Sequence, residues 1–133
     1  MGAAGIVIPA GATQTRLTFG HRWGFESGFD GGTLRLSTDG GTTYNFIPAS
    51  AILSGTSYNG TISGTCPPAG AAGAAVFTGT QSTFVNTTVD LDAACGAGGC
   101  AGKTLRIAFT SITDCSVTST GWFLDNVTVT DCQ

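Results

Sequence analysis

The sequence predicts an all-β fold: an antiparallel β-sandwich of jelly-roll type with about eight strands. Three observations predict it. Short stretches of alternating apolar and polar residues recur along the chain, each bounded by turn residues. Glycine occurs 21 times while charged residues make up only 10 %. Glycine supplies the positive-φ positions of tight turns, and Thr and Val fit pleated, half-buried surfaces. Helical signals are poor: the longest Ala-rich run, 69–75, is broken by Gly70 and Gly73 and preceded by Pro67-Pro68, so it reads as loop. The long, irregular middle connections favour a jelly roll over a simple meander.

Taken in order, residues 5–9 (GIVIP) form a short apolar run ended by proline, the mark of an edge strand. Residues 15–20 alternate, with Leu17 and Phe19 on one face, and the pattern extends towards His21. A glycine- and acid-bearing loop follows over 24–32, and alternation resumes over 33–38 with Leu34 and Leu36 on one face. Asp39-Gly40 is a strong hairpin signal, with 42–47 as the expected return strand. Weak strand pieces sit around Ile52 and Ile62, and 75–78 is a short buried strand. Residues 83–91 carry Phe84, Val85, Val89 and Leu91, and 104–112 place Leu105, Ile107 and Phe109 inward. The last strand, 122–130, has Trp122, Leu124, Val127 and Val129 as its inward set, with a phase shift at Asp125-Asn126 that predicts a bulge.

A chain of 133 residues is one domain, 1–133, large enough to bury a core. The net charge is −3, and the basic residues Arg16, Arg22, Arg35, Lys103 and Arg106 are scattered, so no nucleic acid partner is expected. No apolar run approaches the roughly 20 residues of a spanning helix. Met1-Gly2 lacks the charged and apolar regions of a signal peptide, and the expectation is a module excised from a longer secreted protein.

Five cysteines in so loop-rich a chain point to an oxidising, extracellular compartment. No CxxC pair occurs, and His21 is the single histidine, so zinc-type spacing is absent. Cys95 and Cys100 flank a glycine-rich loop and are the expected disulfide; Cys66 and Cys115, both in loops, are the expected second, leaving Cys132 over.

Three constellations carry candidate chemistry. Residues 37–44 (STDGGTTY) resemble the Asp-box of sialidase-type propellers, SxDxGxTW, with Tyr44 for Trp. The motif is a hairpin whose Asp side chain accepts turn amides, and its single occurrence argues against propeller blades. Glu26, Asp30 and Asp125 form a candidate calcium set, because Ca²⁺ takes six to eight hard oxygen ligands from carboxylates and backbone carbonyls. Glu26 and Asp30 share a glycine-containing loop, and Asp125 lies among large apolar residues, where a buried carboxylate needs a partner. A salt bridge to Arg22, Arg35 or Arg106, or plain exposure, is the alternative. Among the aromatic residues, Trp23 and Tyr58, in turn-rich surroundings, are candidates for stacking on sugar rings, whereas Trp122 fits a core position. GxSxG and HExxH are absent, and a lone strand histidine is a hydrogen-bonded sheet residue more often than a base.

These residues together carry a resemblance. Leu17 to His21 as LTFGH, Glu26, Asp30-Gly31-Gly32, the Ser37 turn, Phe77-Thr78-Gly79-Thr80, Val89-Asp90-Leu91, Leu105-Arg106-Ile107, Asp114 and the closing GWFLDNV resemble the MAM-like jelly-roll modules of secreted bacterial metalloproteases of the immune-inhibitor and fungalysin types. The match runs over 15–129, with Tyr44 for Trp and the Cys95–Cys100 insert as departures. The resemblance implies a structural Ca²⁺ at Glu26, Asp30 and Asp125. It also implies a non-catalytic, secreted accessory module that supports or targets an attached hydrolase, with that catalytic domain as its partner. The alternative is a carbohydrate-binding or adhesion module acting on a polysaccharide or glycoprotein through surface aromatics or the calcium. A glycosidase pair at Glu26 and Asp30 is disfavoured, since the chain is small and lacks an aromatic-rich cleft. The chain is therefore not expected to be an enzyme.

Overall fold

The computed structural model describes residues 5–62, 73–113 and 121–132. Among them are strands β1 (Ile6–Val7), β2 (Thr13–Gly24), β3 (Gly31–Ser37), β4 (Asn45–Phe46), β5 (Ile52–Gly55), β6 (Gly60–Thr61), β7 (Ala75–Val76), β8 (Thr80–Asp90), β9 (Thr104–Ile112) and β10 (Gly121–Cys132). A 3-10 turn (Ala49–Ala51) and one short helix, α1 (Leu91–Cys95), complete the described elements. Two four-stranded sheets run β1-β9-β3-β4 and β10-β2-β8-β5, and β6 pairs with β7. Every pairing is antiparallel.

Alternation explains why the sheets face one another. Leu17 and Phe19 of β2 and Val89 of β8 meet Leu34 and Leu36 of β3 and Leu105 of β9 in one buried cluster. A second buried group gathers Trp23, Phe25 and Phe77, with Tyr58, Val85 and Trp122 packed against it. The sandwich and the inward sets of β2, β3 and β9 agree with the sequence pattern. The expected edge strand at 5–9 is β1, which pairs with β9 alone.

Four expectations need correction or fall outside the description. The return strand expected over 42–47 is only Asn45–Phe46, because residues 38–44 are held as a loop by side chains. Helix α1 follows β8 where no helix was expected: the Asp90 carboxylate accepts from Ala93 N at 3.2 Å, capping the helix start. Gly96, at φ 88°, ends the helix where a side chain would be strained. Leu124 and Val127 are exposed rather than buried, and the predicted bulge falls between them: the β10–β2 register shifts between Asp125 and Thr128, and Asn126 has φ 51°. The Cys95–Cys100 disulfide is present, with Cα atoms 5.4 Å apart, while the expected Cys66–Cys115 pair lies outside the described residues. Cys132 is an exposed free thiol.

Where β3 begins, glycine is required by packing. A Cβ on Gly32 would lie 2.6 Å from the Trp122 ring, and one on Gly31 would lie 2.6 Å from Val76 Cβ. Gly32 also exchanges both backbone hydrogen bonds with Phe77, N to O at 2.9 and 2.8 Å. The close approach lets Trp122 lie flat on the strand. Gly32→Ala is therefore expected to lower the unfolding free energy by roughly 1–3 kcal/mol through overpacking, read by urea denaturation; an unchanged midpoint would show that the indole can move aside.

Candidate functional site

The inward face of β2 reads Leu17, Phe19, His21, Trp23, all buried. His21 therefore sits inside the aromatic half of the core, with ring centroids of Phe19, Phe77 and Trp23 at 4.6, 4.7 and 4.9 Å. Its two nitrogens are both engaged. The Trp122 indole, which can only donate, gives its Nε1–H to His21 Nδ1 at 3.1 Å. Nδ1 is thus the acceptor, and Nε2–H donates to Thr87 Oγ1 at 2.8 Å. The Thr87 hydroxyl in turn donates a hydrogen bond to the Thr56 carbonyl at 2.6 Å. This chain links β10, β2 and β8 to residue 56 and fixes the neutral tautomer. Desolvation lowers the His21 pKa to about 4. Protonation would set an Nδ1–H against the indole N–H. The histidine is a structural relay of hydrogen bonds, in line with the expectation of a sheet residue.

The acids do not gather. After β2 ends at Gly24, the loop returns on itself: Phe29 N and Asp30 N donate to the Glu26 carbonyl at 3.1 and 2.9 Å. Thr78 locks the same loop, its hydroxyl donating to the Asp30 carbonyl at 2.6 Å and accepting from Gly28 N at 3.0 Å. These carbonyls, which the calcium reading turned towards a cation, accept hydrogen bonds from the protein itself. Asp30 is buried and Glu26 half-buried. Asp125 instead pairs with Gly20, four positions back along β2 from Gly24 and so about 13 Å away along the strand. Its side chain is exposed, and Oδ1 accepts from Asn126 N at 2.9 Å, capping the bulge. Among the described residues no three His, Cys, Asp or Glu side chains gather to hold a metal ion. The set of Glu26, Asp30 and Asp125 does not fit a calcium site. Asp125 is exposed because it alternates with the inward Trp122 and lies opposite Gly20, ahead of the register shift, which places it on the outer face of β10.

Of the expected sugar-stacking residues, Trp23 is placed in the core and Tyr58 packs half-buried against it. Trp23 is 4 % exposed and donates its Nε1–H to the Thr78 carbonyl at 3.0 Å. The Tyr58 hydroxyl donates to the Ile47 carbonyl at 2.9 Å and accepts from Leu34 N at 3.2 Å. It therefore stands in for ladder bonds beside β3, and burial raises its pKa. Trp122, expected in the core, packs there.

The 37–44 turn behaves as its motif predicts. Asp39 accepts from Thr43 Oγ1 at 2.5 Å, Thr43 N at 2.9 Å and Ser37 Oγ at 2.8 Å. The Thr43 hydroxyl and amide, with Ser37, hold its pKa down at about 2. Sequence reasoning passed over the outward residues of the β10-β2-β8 surface. There Arg22 lies between Phe123, at 4.2 Å from its ring centroid, and Phe84, at 5.5 Å and 52 % exposed. The signal was available: these positions are out of phase with the inward residues of each strand. No protein-family model, curated protein or solved structure matches the chain.

Two measurements follow from this geometry. The folded-state pKa of His21, about 4, lies below its usual 6.5. The unfolded chain therefore binds the extra proton first as pH falls. The stabilisation is complete above pH 6.5 and is lost progressively down to about pH 4, amounting to about 3 kcal/mol. Urea titrations from pH 7 to 4 should show this slope, and a folded His21→Gln variant should flatten it; an equal slope in the variant refutes the assignment. For Asp125, replacement by Ala should alter stability by no more than about 1 kcal/mol and leave any response of the melting temperature to EDTA unchanged. An EDTA response that vanishes in the variant would restore Asp125 as a ligand.

Proposed function

We propose that this chain is a non-catalytic, extracellular β-sandwich accessory module that supports or targets an attached hydrolase. The observation that carries the reading is the internal commitment of the groups best suited to chemistry. His21 spends both ring nitrogens within the core, and its depressed pKa leaves it uncharged at neutral pH. The Tyr58 hydroxyl bridges backbone groups, and Asp39 is saturated by its own turn. A general base must reach a substrate proton, and His21, enclosed by rings, faces none. The Cys95–Cys100 disulfide supports the extracellular assignment. The MAM-like affiliation rests on the residue pattern from Leu17 to Val127. Jelly-roll wrapping is supported by the chain's passage between sheets from β1 to β2, β2 to β3, β4 to β5, β8 to β9 and β9 to β10.

A second reading, a carbohydrate-binding or adhesion module, draws on Phe84, Arg22 and Phe123. Exposed rings flanking a guanidinium offer apolar faces and hydrogen-bond donors on one flat sheet surface. In this reading they take the part that Trp23 and Tyr58 were expected to play.

The test is direct. The purified domain, offered peptide, ester and glycoside substrates, is expected to show no turnover above the buffer rate. Turnover that disappears in Glu26→Gln or Asp30→Asn, with the fold intact by circular dichroism, would overturn the non-catalytic reading. Retention on a polysaccharide that weakens in Phe84→Ala or Phe123→Ala would favour the second reading.

A further inference from the structure

We propose that Arg35, Arg106 and Tyr44, on the outer face of the β1-β9-β3-β4 sheet, form a binding site for an oxyanion, a carboxylate or sulfate group. The inference is independent of the accessory-module reading. Leu34 and Leu36 point into the core from β3, and Leu105 and Ile107 from β9, so Arg35 and Arg106 both lie on the opposite face. The register pairs Arg35 with Ala108 and Ser37 with Arg106. The two arginines are thus diagonal neighbours, with side-chain origins about 7 Å apart.

Two like charges side by side on a sheet are unfavourable unless something negative answers them. Nothing in the described protein does. Neither arginine forms an ion pair there, and the one carboxylate of the adjoining loop, Asp39, has its acceptors taken by Thr43 and Ser37. Both guanidinium groups also carry a buried Nε–H without a hydrogen-bond partner. Buried donors are rarely left so, since each costs the free energy of a lost hydrogen bond. Arg35 makes one long contact, Nη2 to the Tyr44 carbonyl at 3.5 Å, and lies over Phe46 with its centre 5.1 Å from the ring centroid. The side chain is thereby stacked in place, with its Nε–H still lacking a protein acceptor.

The 38–44 loop completes the site. Asp39 and Ser37 pin the loop, and Gly41, at φ 94°, leaves a gap that a side chain would close. A Cβ on Gly41 would lie 3.1 Å from Arg106 Nη1 and 3.5 Å from the Tyr44 hydroxyl, so both donors border one space. Planar guanidinium forks match the spacing of carboxylate and sulfate oxygens, and a tyrosine hydroxyl adds a neutral donor. The chain as a whole carries −3, so this local excess of positive charge is set against the general field. An acidic polysaccharide presents the required group on a repeating chain, and a free inorganic oxyanion presents it alone.

The test titrates the labelled domain with sodium sulfate, with oligogalacturonate and with neutral dextran, at constant ionic strength set by chloride. Amide chemical shifts are followed rather than melting temperature, because sulfate stabilises folds in general by exclusion. Saturable shifts centred on Gly41, Tyr44 and Arg106 are expected with sulfate, oligogalacturonate or both, and none with dextran. Oligogalacturonate binding at least tenfold tighter than sulfate assigns the glycan as source; equal or weaker binding assigns the free ion. Arg106→Gln and Arg35→Gln should each weaken binding by about tenfold or more, and Arg106→Lys, which keeps the charge but not the fork, should weaken it as well. If a variant fails to fold, the wild-type shift map decides. Absence of saturable shifts, shifts centred elsewhere, an equal response to dextran, or full affinity in folded Arg106→Gln each overturn the proposal.

Discussion

One imidazole inside an aromatic core constrains much of this fold. An unsatisfied polar group there would cost several kcal/mol, so His21 must find both a donor and an acceptor. It finds them on opposite sides, in the Trp122 indole and the Thr87 hydroxyl, and the relay ends on the Thr56 carbonyl. Each partner comes from a different segment of the chain. The bonds can form together only when β10, β2 and β8 are in register and 56 lies alongside. The relay therefore acts as a registration device as well as a satisfied polar network. It also explains why Trp122 is fixed in orientation, and why Gly32 of β3 lies against its ring.

The same economy governs the neighbouring segments. Thr78 ties the 24–30 loop to the strand pair through Asp30, Gly28 and Asn59, with Thr78 N donating to Asn59 Oδ1 at 2.7 Å. The Tyr58 hydroxyl fills the ladder position between β4 and β7 along β3. Polar side chains thus replace strand pairing along β3 of the β1-β9-β3-β4 sheet. The consequence for function is that the interior polar groups are committed to structure, and the surfaces are left to interact. Both outer faces carry an arginine stacked on aromatic rings, Arg22 on one and Arg35 on the other.

Much of this was legible in the chain itself. Period-two alternation marks β2, β3 and β9 and their inward residues, because one buried face dictates the pattern. The glycine-flanked Cys95 and Cys100 and the Asp39 turn are local features, decided within a few residues, and local features can be read locally. The bulge at Asp125-Asn126 showed as a broken phase. Helix α1 was harder, since five residues give no periodicity and only the Asp90 cap and Gly96 announce it.

What a strand pattern cannot say is which way a residue points once the phase breaks, or which distant segment covers it. Asp125 sits among apolar residues in the sequence and yet faces solvent, because it alternates with the inward Trp122 and pairs with Gly20 on the outer face of the sheet. Trp23 neighbours a turn and yet lies inside, and Tyr58 packs half-buried against the same cluster, because β10 and the 73–79 segment close over it. The sequence alone determined the fold class, the main inward faces and the local turn chemistry, all set by short-range periodicity. Only the tertiary structure decided the partners of His21, the separation of the three acids and the pairing of Arg35 with Arg106, since each depends on residues brought together from distant strands.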